Sequence, residues 1–130
     1  MDPLRILLAD DHAILRQGLK LLIDNQPDMR VVGEATDGEH VLSQAEALNP
    51  DIVVMDISMP GMNGLVATRT LKRTHTPVAI VALTRHDDDT YLEELLRAGA
   101  SGYVLKQSAP TELLRAIRSV AAGGVYLDPA

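Results

Sequence analysis

Hydrophobic residues along this chain fall into two alternating patterns. Short, nearly unbroken apolar runs occur at LRILLA (4–9), VVGEA (31–35), DIVVMD (51–56), VAIVALT (78–84) and GYVLK (102–106). Between them lie longer stretches with helical spacing. HAILRQGLKLLIDN puts Ile14, Leu15, Leu19 and Leu22 on one face, and GEHVLSQAEALN does the same with Val41, Leu42, Ala45 and Leu48. LVATRTLKR, TYLEELLRAGA and PTELLRAIRSVAAGG follow, the last two ending at glycines, as helices often do. Pro110 falls just inside the start of the last helix, where its missing N–H costs nothing.

Five strands, each followed by a helix, predict an α/β fold: a single doubly wound (βα)5 domain with a parallel sheet and helices on both faces. The central runs are apolar throughout, as strands buried on both faces must be. The mixed run VVGEA belongs at an edge. Periodicity is lost after Gly124, so the domain is expected over residues 1–123, with 124–130 as a tail or the start of a linker.

Composition narrows the options. The 130 residues suffice for one domain with a core. Apolar mass is Leu, Val, Ile and Ala, with three tyrosines and no Phe or Trp, so packing rests on branched aliphatics. A formal charge of −6 without a Lys/Arg cluster argues against nucleic acid or anionic lipid as a direct partner. Cysteine is absent, which excludes disulfides, thiol catalysis and thiolate metal sites. MDPLRILLADD does not read as a signal peptide, and no run reaches the roughly 18–20 apolar residues of a membrane span. A cytoplasmic protein is the expectation.

The polar residues at the strand ends carry the chemistry. The first run ends in Asp10 and Asp11, the third in Asp56, the fourth in Thr84 and the fifth in Lys106. In a parallel sheet these ends share one edge, where ligands bind at the switch in strand order. Each residue also has a plain structural role open to it. Asp11 can cap the first helix, Asp56 can begin an Asx-turn into PGMNG, Thr84 can be a β-former, and Lys106 can be a surface lysine. Together they read otherwise. Three carboxylates in one volume repel, and a lysine offsets only part of that. A divalent cation offsets more, and hard oxygen ligands suit Mg²⁺. A carboxylate can also attack phosphorus, with cations and a hydroxyl donor gathered about the transferring oxygens.

On these residues the chain resembles the receiver domain of two-component response regulators. The resemblance rests on Asp10 and Asp11 in LLADDH, Asp56 in DISMPGMNG, Thr84 in VALT, and GYVLK with Lys106. It covers essentially the whole chain. DDHAILRQGL and AAGGVYLDP are further similar to the NarL/FixJ subfamily, in which a LuxR-type helix-turn-helix output domain follows. The resemblance implies a flavodoxin-like fold with strand order 2-1-3-4-5. It implies a signalling switch and not an enzyme in the ordinary sense, one that catalyses its own phosphoryl transfer and autodephosphorylation. Asp56 would accept phosphoryl from a sensor histidine kinase. Asp11, Asp56 and the backbone carbonyl of Ser58 would ligate Mg²⁺, for which Mn²⁺ can substitute, and Asp10 would hold a coordinated water. Thr84 and Lys106 would bind phosphoryl oxygens, and Tyr103 matches the aromatic switch position, although a plain half-buried strand tyrosine is the simpler alternative there. A phosphorylation-dependent homodimer is implied, with the α4-β5-α5 surface as the part that changes.

Some positions depart from the family or stand outside the pattern. The residue after the switch threonine is usually small and here is Arg85, beside the phosphoryl entrance. Ser58 and His86 occupy positions that tune dephosphorylation. The acids of HDDDT (86–90) read as helix caps, His12 and His75 as surface residues, and Met55, Met59 and Met62 as packing near the loop. Among rival classes, a haloacid dehalogenase-like phosphatase needs a second Asp where Ser58 stands. A flavin carrier needs a hydroxyl-rich phosphate loop where ADDHA is acidic. A phosphorylation-independent docking module is the remaining alternative.

Overall fold

The computed structural model describes residues 2–59, 61–74, 77–85 and 89–128, the last segment without the side chains of 89–91. The expected elements are present: β1 (Leu4–Ala9), α1 (Ala13–Asp24), β2 (Met29–Ala35), α2 (Gly38–Leu48), β3 (Ile52–Asp56), α3 (Gly64–Thr74), β4 (Ala79–Thr84), α4 (Asp89–Ala98), β5 (Gly102–Leu105) and α5 (Ala109–Ala121). A 3-10 turn, Lys106–Ser108, joins β5 to α5. The sheet is parallel, in the order β2-β1-β3-β4-β5, and a short β6 (Tyr126–Leu127) extends it beyond β5.

Alternation along the strands divides the core into two layers. Ile6 and Leu8 of β1, Ile52 and Val54 of β3, and Val81 and Leu83 of β4 pack with Leu19 and Ile23 of α1 and with Leu113, Ala116 and Ile117 of α5. Leu7, Ala9, Val53, Met55, Ile80 and Ala82 point the other way, toward Val41 and Ala45 of α2, Ala67 and Leu71 of α3, and Leu95 of α4. Side chains that alternate faces along a strand, with both faces covered, require the continuous apolar runs seen in the sequence. All five residues of β3 are buried. β2 lies at the edge, and its middle is only partly buried.

Two details differ from expectation. Ile14 lies outside the core face of α1 and is 88% exposed, while Ile23 is fully buried, so the packed face is Leu15, Leu19, Leu22 and Ile23. The stretch after Gly124 is not simply a tail. Tyr126 N–H donates to the Ser101 carbonyl, Asp128 N–H to the Tyr103 carbonyl, and Asp128 Oδ2 accepts from Leu105 N–H at 3.0 Å. Tyr126 hydroxyl donates to Glu112 Oε2 of α5 at 2.8 Å. Burial and this acidic partner push the Tyr126 phenol up to about 12.

Among the methionines of the loop region, Met55 and Met59 are buried and Met62 packs against them, as expected. Pro110 lies in the first turn of α5. Gly64, which opens α3, sits directly against the end of β3. A Cβ there would stand 2.7 Å from the Asp56 carbonyl oxygen and 2.7 Å from Ile57 Cα. Backbone on both sides leaves no flexible side chain to yield. Gly64→Ala is therefore expected to lower stability by about 1–3 kcal/mol through overpacking, read as a reduced urea midpoint; an unchanged midpoint contradicts this close approach.

Candidate functional site

The strand ends converge as the topology demands. β1 lies between β2 and β3, so the chain leaves it in opposite directions and opens a crevice at the carboxyl ends of β1 and β3. Asp10 follows β1 directly, Asp56 is the last residue of β3, Thr84 is the last of β4, and Lys106 is the first after β5. Asp10 and Asp56 are fully buried and Thr84 nearly so. Lys106 Nζ lies 3.0 Å from Asp56 Oδ2 and 3.4 Å from Asp10 Oδ2, with its side chain 9% exposed. Asp11 lies at the mouth, and oxygens of Asp10, Asp11 and Asp56 come within 4.8 Å of one another and of a His12 ring nitrogen.

Neighbouring backbone holds these groups in place. Asp10 N–H donates to the Ala35 carbonyl of β2, and the Asp10 carbonyl accepts from Arg16 at 2.7 Å. Arg16 is itself held by Glu34 at 3.0 Å. Asp10 Oδ1 accepts from His12 N–H at 2.8 Å. Asp56 Oδ1 accepts from both the N–H and the hydroxyl of Ser58, each at 3.0 Å. The Asx-turn considered for Asp56 is thus real, but it occupies one oxygen only. Asp11 is not the helix cap: that position belongs to His12, whose carbonyl accepts from Arg16 N–H.

The second oxygens behave differently. Asp10 Oδ2 and Asp56 Oδ2 are buried and have no hydrogen-bond partner among the described residues. Lys106 is close enough to pair electrostatically with both, but its approach is not aligned as a hydrogen bond, so the ion pair leaves lone pairs unsatisfied. Burial is the largest influence on the Asp56 carboxyl and opposes its ionisation. The Ser58 N–H, Lys106 and Asp11 together outweigh it, so its pKa lies below the usual carboxylate range. Buried anionic oxygens without partners, ringed by hard oxygen donors, fit a divalent cation such as Mg²⁺.

Tyr103 is fully inside. It is 6% exposed, and its ring belongs to the cluster on the α4 side of the sheet. Its neighbour across the ladder is Ala82, two residues before Thr84, so Thr84 and Tyr103 share a face of adjoining strands.

His12 is at the surface, as expected, but it also belongs to the site. Its Nδ1 is 3.0 Å from Asp10 Oδ1, 3.4 Å from Asp11 Oδ1 and 4.0 Å from Asp56 Oδ2, and the side chain is 42% exposed. Its adjacency to Asp10 and Asp11 was the available signal. Arg85 reaches across the mouth to His12 Nε2. Pro60, His75 and His86 lie outside the described residues, as do residues 87 and 88 and the side chains of 89 and 90 in the HDDDT run.

A concavity of about 840 Å³ opens at the opposite end of the sheet between Pro3, Asn49, Asp51, Pro77 and Val120. Arg5 lines it but is engaged by the Leu48 and Asn49 carbonyls at the end of α2. Its size does not outweigh the unsatisfied carboxylates at the other edge.

Comparison with known proteins agrees with this geometry. The family model described as the response regulator receiver domain matches residues 6–118, and the chain belongs to that family. Such domains are signalling proteins. Within it, the relatives fall in the NarL/FixJ subfamily. The chain is 40% identical over 128 residues to the transcriptional regulatory protein DegU of Brevibacillus brevis, covering 98% of this chain and 54% of that protein. It is 41% identical over 131 residues to the nitrate/nitrite response regulator NarL of Escherichia coli (strain K12), covering 99% of this chain and 60% of that protein. It therefore spans between half and two thirds of the length of these relatives. The crystal structure of a LuxR-family two-component response regulator from Aurantimonas sp. SI85-9A1 matches with a TM-score of 0.94 and 39% identity, over 98% of this chain and 91% of that one. The signal receiver domain of the putative response regulator NarL from Mycobacterium tuberculosis matches with a TM-score of 0.90 and 31% identity, over 95% of this chain and 99% of that one. Among the described residues, no helix is long and apolar enough to cross a membrane.

The low Asp56 pKa has a testable sign. Ionised Asp56 stabilises the fold above the ordinary carboxylate pKa, and this contribution is lost as pH falls through the lower, folded value. In metal-free protein, Lys106→Met should move the Asp56 titration to higher pH, followed by its carboxyl ¹³C resonance. An unmoved titration contradicts the assigned ion pair.

Proposed function

We propose that this chain is a phosphorylation-controlled switch whose phosphoacceptor is Asp56. The observation that carries the reading is the Asp56 carboxylate: buried, ionised, paired with Lys106 at 3.0 Å, and with one oxygen unsatisfied. That oxygen has a lone pair available for phosphorus. Attack forms the Asp56 O–P bond, the P–N bond of a histidine kinase's phosphohistidine breaks, and the imidazole leaves with the electron pair and takes up a proton. Mg²⁺, or Mn²⁺ in its place, supplies charge neutralisation for the phosphoryl oxygens when bound. Asp11, Asp56 and the Ser58 carbonyl would hold it, and Asp10 would hold one of its waters.

This chain's own residues do the rest. Lys106 binds a phosphoryl oxygen and keeps the pocket from excess negative charge. Thr84 meets another oxygen through its hydroxyl. Ser58 N–H and hydroxyl orient the Asp56 carboxylate. A phosphoryl group adds charge at the strand edge, and Thr84 and Tyr103, on one face of adjoining strands, relay it to the α4-β5-α5 surface. That surface then governs a homodimer contact and a LuxR-type DNA-binding output domain, in a cytoplasmic two-component pathway. Residues 1–123 form the receiver in this reading, and the stretch from Gly124 leads toward the output domain, with β6 as its docked first part.

Incubation with Mg²⁺ and acetyl phosphate tests the reading. The intact mass should rise by one phosphate, and the gain should vanish in Asp56→Asn and on chelation of the metal. A gain that persists in Asp56→Asn, or no gain from acetyl phosphate or from a kinase, contradicts it and favours a docking module that works without phosphorylation.

A further inference from the structure

The clasp between Arg85 and His12 goes beyond this reading, and rests on it for the identity of the reaction. Arg85 immediately follows Thr84 on the β4 side of the crevice, and His12 immediately follows Asp11 on the β1 side. The contact spans 73 positions of sequence and joins the two sides of the crevice at His12 Nε2, while Nδ1 of the same ring faces the acids.

The ring's hydrogen bonding is determined by its partners. A guanidinium only donates, so Nε2 must accept from Arg85, and the neutral ring then carries its proton on Nδ1. That proton faces Asp10 Oδ1 at 3.0 Å. Lys106 Nζ lies 3.2 Å from the same nitrogen and is also only a donor, so a protonated Nδ1 leaves it paired with the carboxylates by charge, at 3.0 Å from Asp56 Oδ2 and 3.4 Å from Asp10 Oδ2. The chain of donors and acceptors is therefore consistent in one tautomer: Asp10 carboxylate, imidazole, guanidinium. With its proton on Nδ1, His12 does not offer that nitrogen to a metal, although its position within 4.8 Å of the acids suggests a ligand.

We propose that His12 is a positioning residue that holds Arg85 over the phosphoacceptor, and that Arg85 is a specificity-determining anion clamp for dianionic phosphodonors. Charge supports this. Among the described residues three carboxylates face one buried ammonium, and a bound divalent cation brings that balance only to neutral, so an approaching phosphate dianion gains no net attraction from the pocket. Arg85 adds a second fixed cation at the point of entry. One nitrogen is engaged by His12, and the guanidinium's remaining donors suit phosphate oxygens. A bare long cation on an exposed loop would spend much of its time elsewhere; the imidazole acceptor holds it at the mouth.

The test uses the whole chain with saturating Mg²⁺ and measures rate constants for Asp56 phosphorylation. Arg85→Ala should slow the reaction with acetyl phosphate about tenfold, the size of one charge-assisted hydrogen bond. Arg85→Lys should recover part of it. His12→Ala should slow it in the same direction, and the double variant should be no slower than Arg85→Ala alone. His12→Gln, which keeps an acceptor for Arg85 and a donor for Asp10, should restore the rate. The losses should shrink with phosphoramidate, which carries less negative charge, and with added salt. Independently, nitrogen NMR of metal-free protein should place the neutral His12 proton on Nδ1. Arg85→Ala as fast as wild type, multiplicative effects in the double variant, or the proton on Nε2 overturns the clamp while leaving Asp56 as acceptor. A wild-type chain that takes no phosphoryl group overturns both.

Discussion

Concentrated negative charge at one edge of the sheet governs this structure. Asp10, Asp11 and Asp56 are brought together by the turn-around of the chain at β1, and two of them are fully buried. Their mutual repulsion is relieved in part by Lys106, by the Ser58 and His12 N–H groups, and by Arg85 acting through His12. What remains unrelieved is localised on two oxygens. A fold tolerates such a defect when the rest of its core is rigid, and here both faces of the sheet are packed with aliphatic side chains.

The fold was readable because its signals are redundant. Continuous apolar runs with helical stretches between them specify a covered parallel sheet, and each of its first five strands was located to within two residues. The acids, Thr84 and Lys106 were found by the same logic, since strand ends in a parallel sheet share an edge. Finer features were less legible. Ile14 and Leu15 are adjacent apolar residues near a helix start, and spacing alone did not decide which one faces the core. Tyr126–Leu127 is too short a strand to show alternation, and its place depends on Ser101, Tyr103 and Glu112, all distant in sequence. His12 and Arg85 carry no pattern individually. Their meaning lies in a contact across the crevice that only the three-dimensional arrangement brings about. Arg16, which fixes the Asp10 carbonyl from one turn into α1, was likewise invisible as a helix arginine.

The two halves of the sheet edge have different work. Asp10, Asp11, Asp56 and Lys106 form a compact charged centre, whereas Thr84 and Tyr103 look toward the α4 layer. Arg85 adjoins both through its neighbour Thr84 and its contact with His12. In the proposed switch, a change of charge at Asp56 would be felt along two routes, the hydroxyl of Thr84 and the clasp beside it. The ordered segment after α5 lies against β5 and Glu112, so the sequence beyond the last helix is joined to the strand that carries Tyr103.

The account stands on the acid cluster being the place where a divalent ion binds. Paramagnetic broadening of amide resonances on titration with Mn²⁺ tests this most directly. The account predicts selective loss of the Asp10, Asp11, Asp56, Ile57 and Ser58 signals, sparing the opposite end of the sheet around Asn49 and Asp51, with protection by excess Mg²⁺. Broadening centred elsewhere, or none at all, would contradict it.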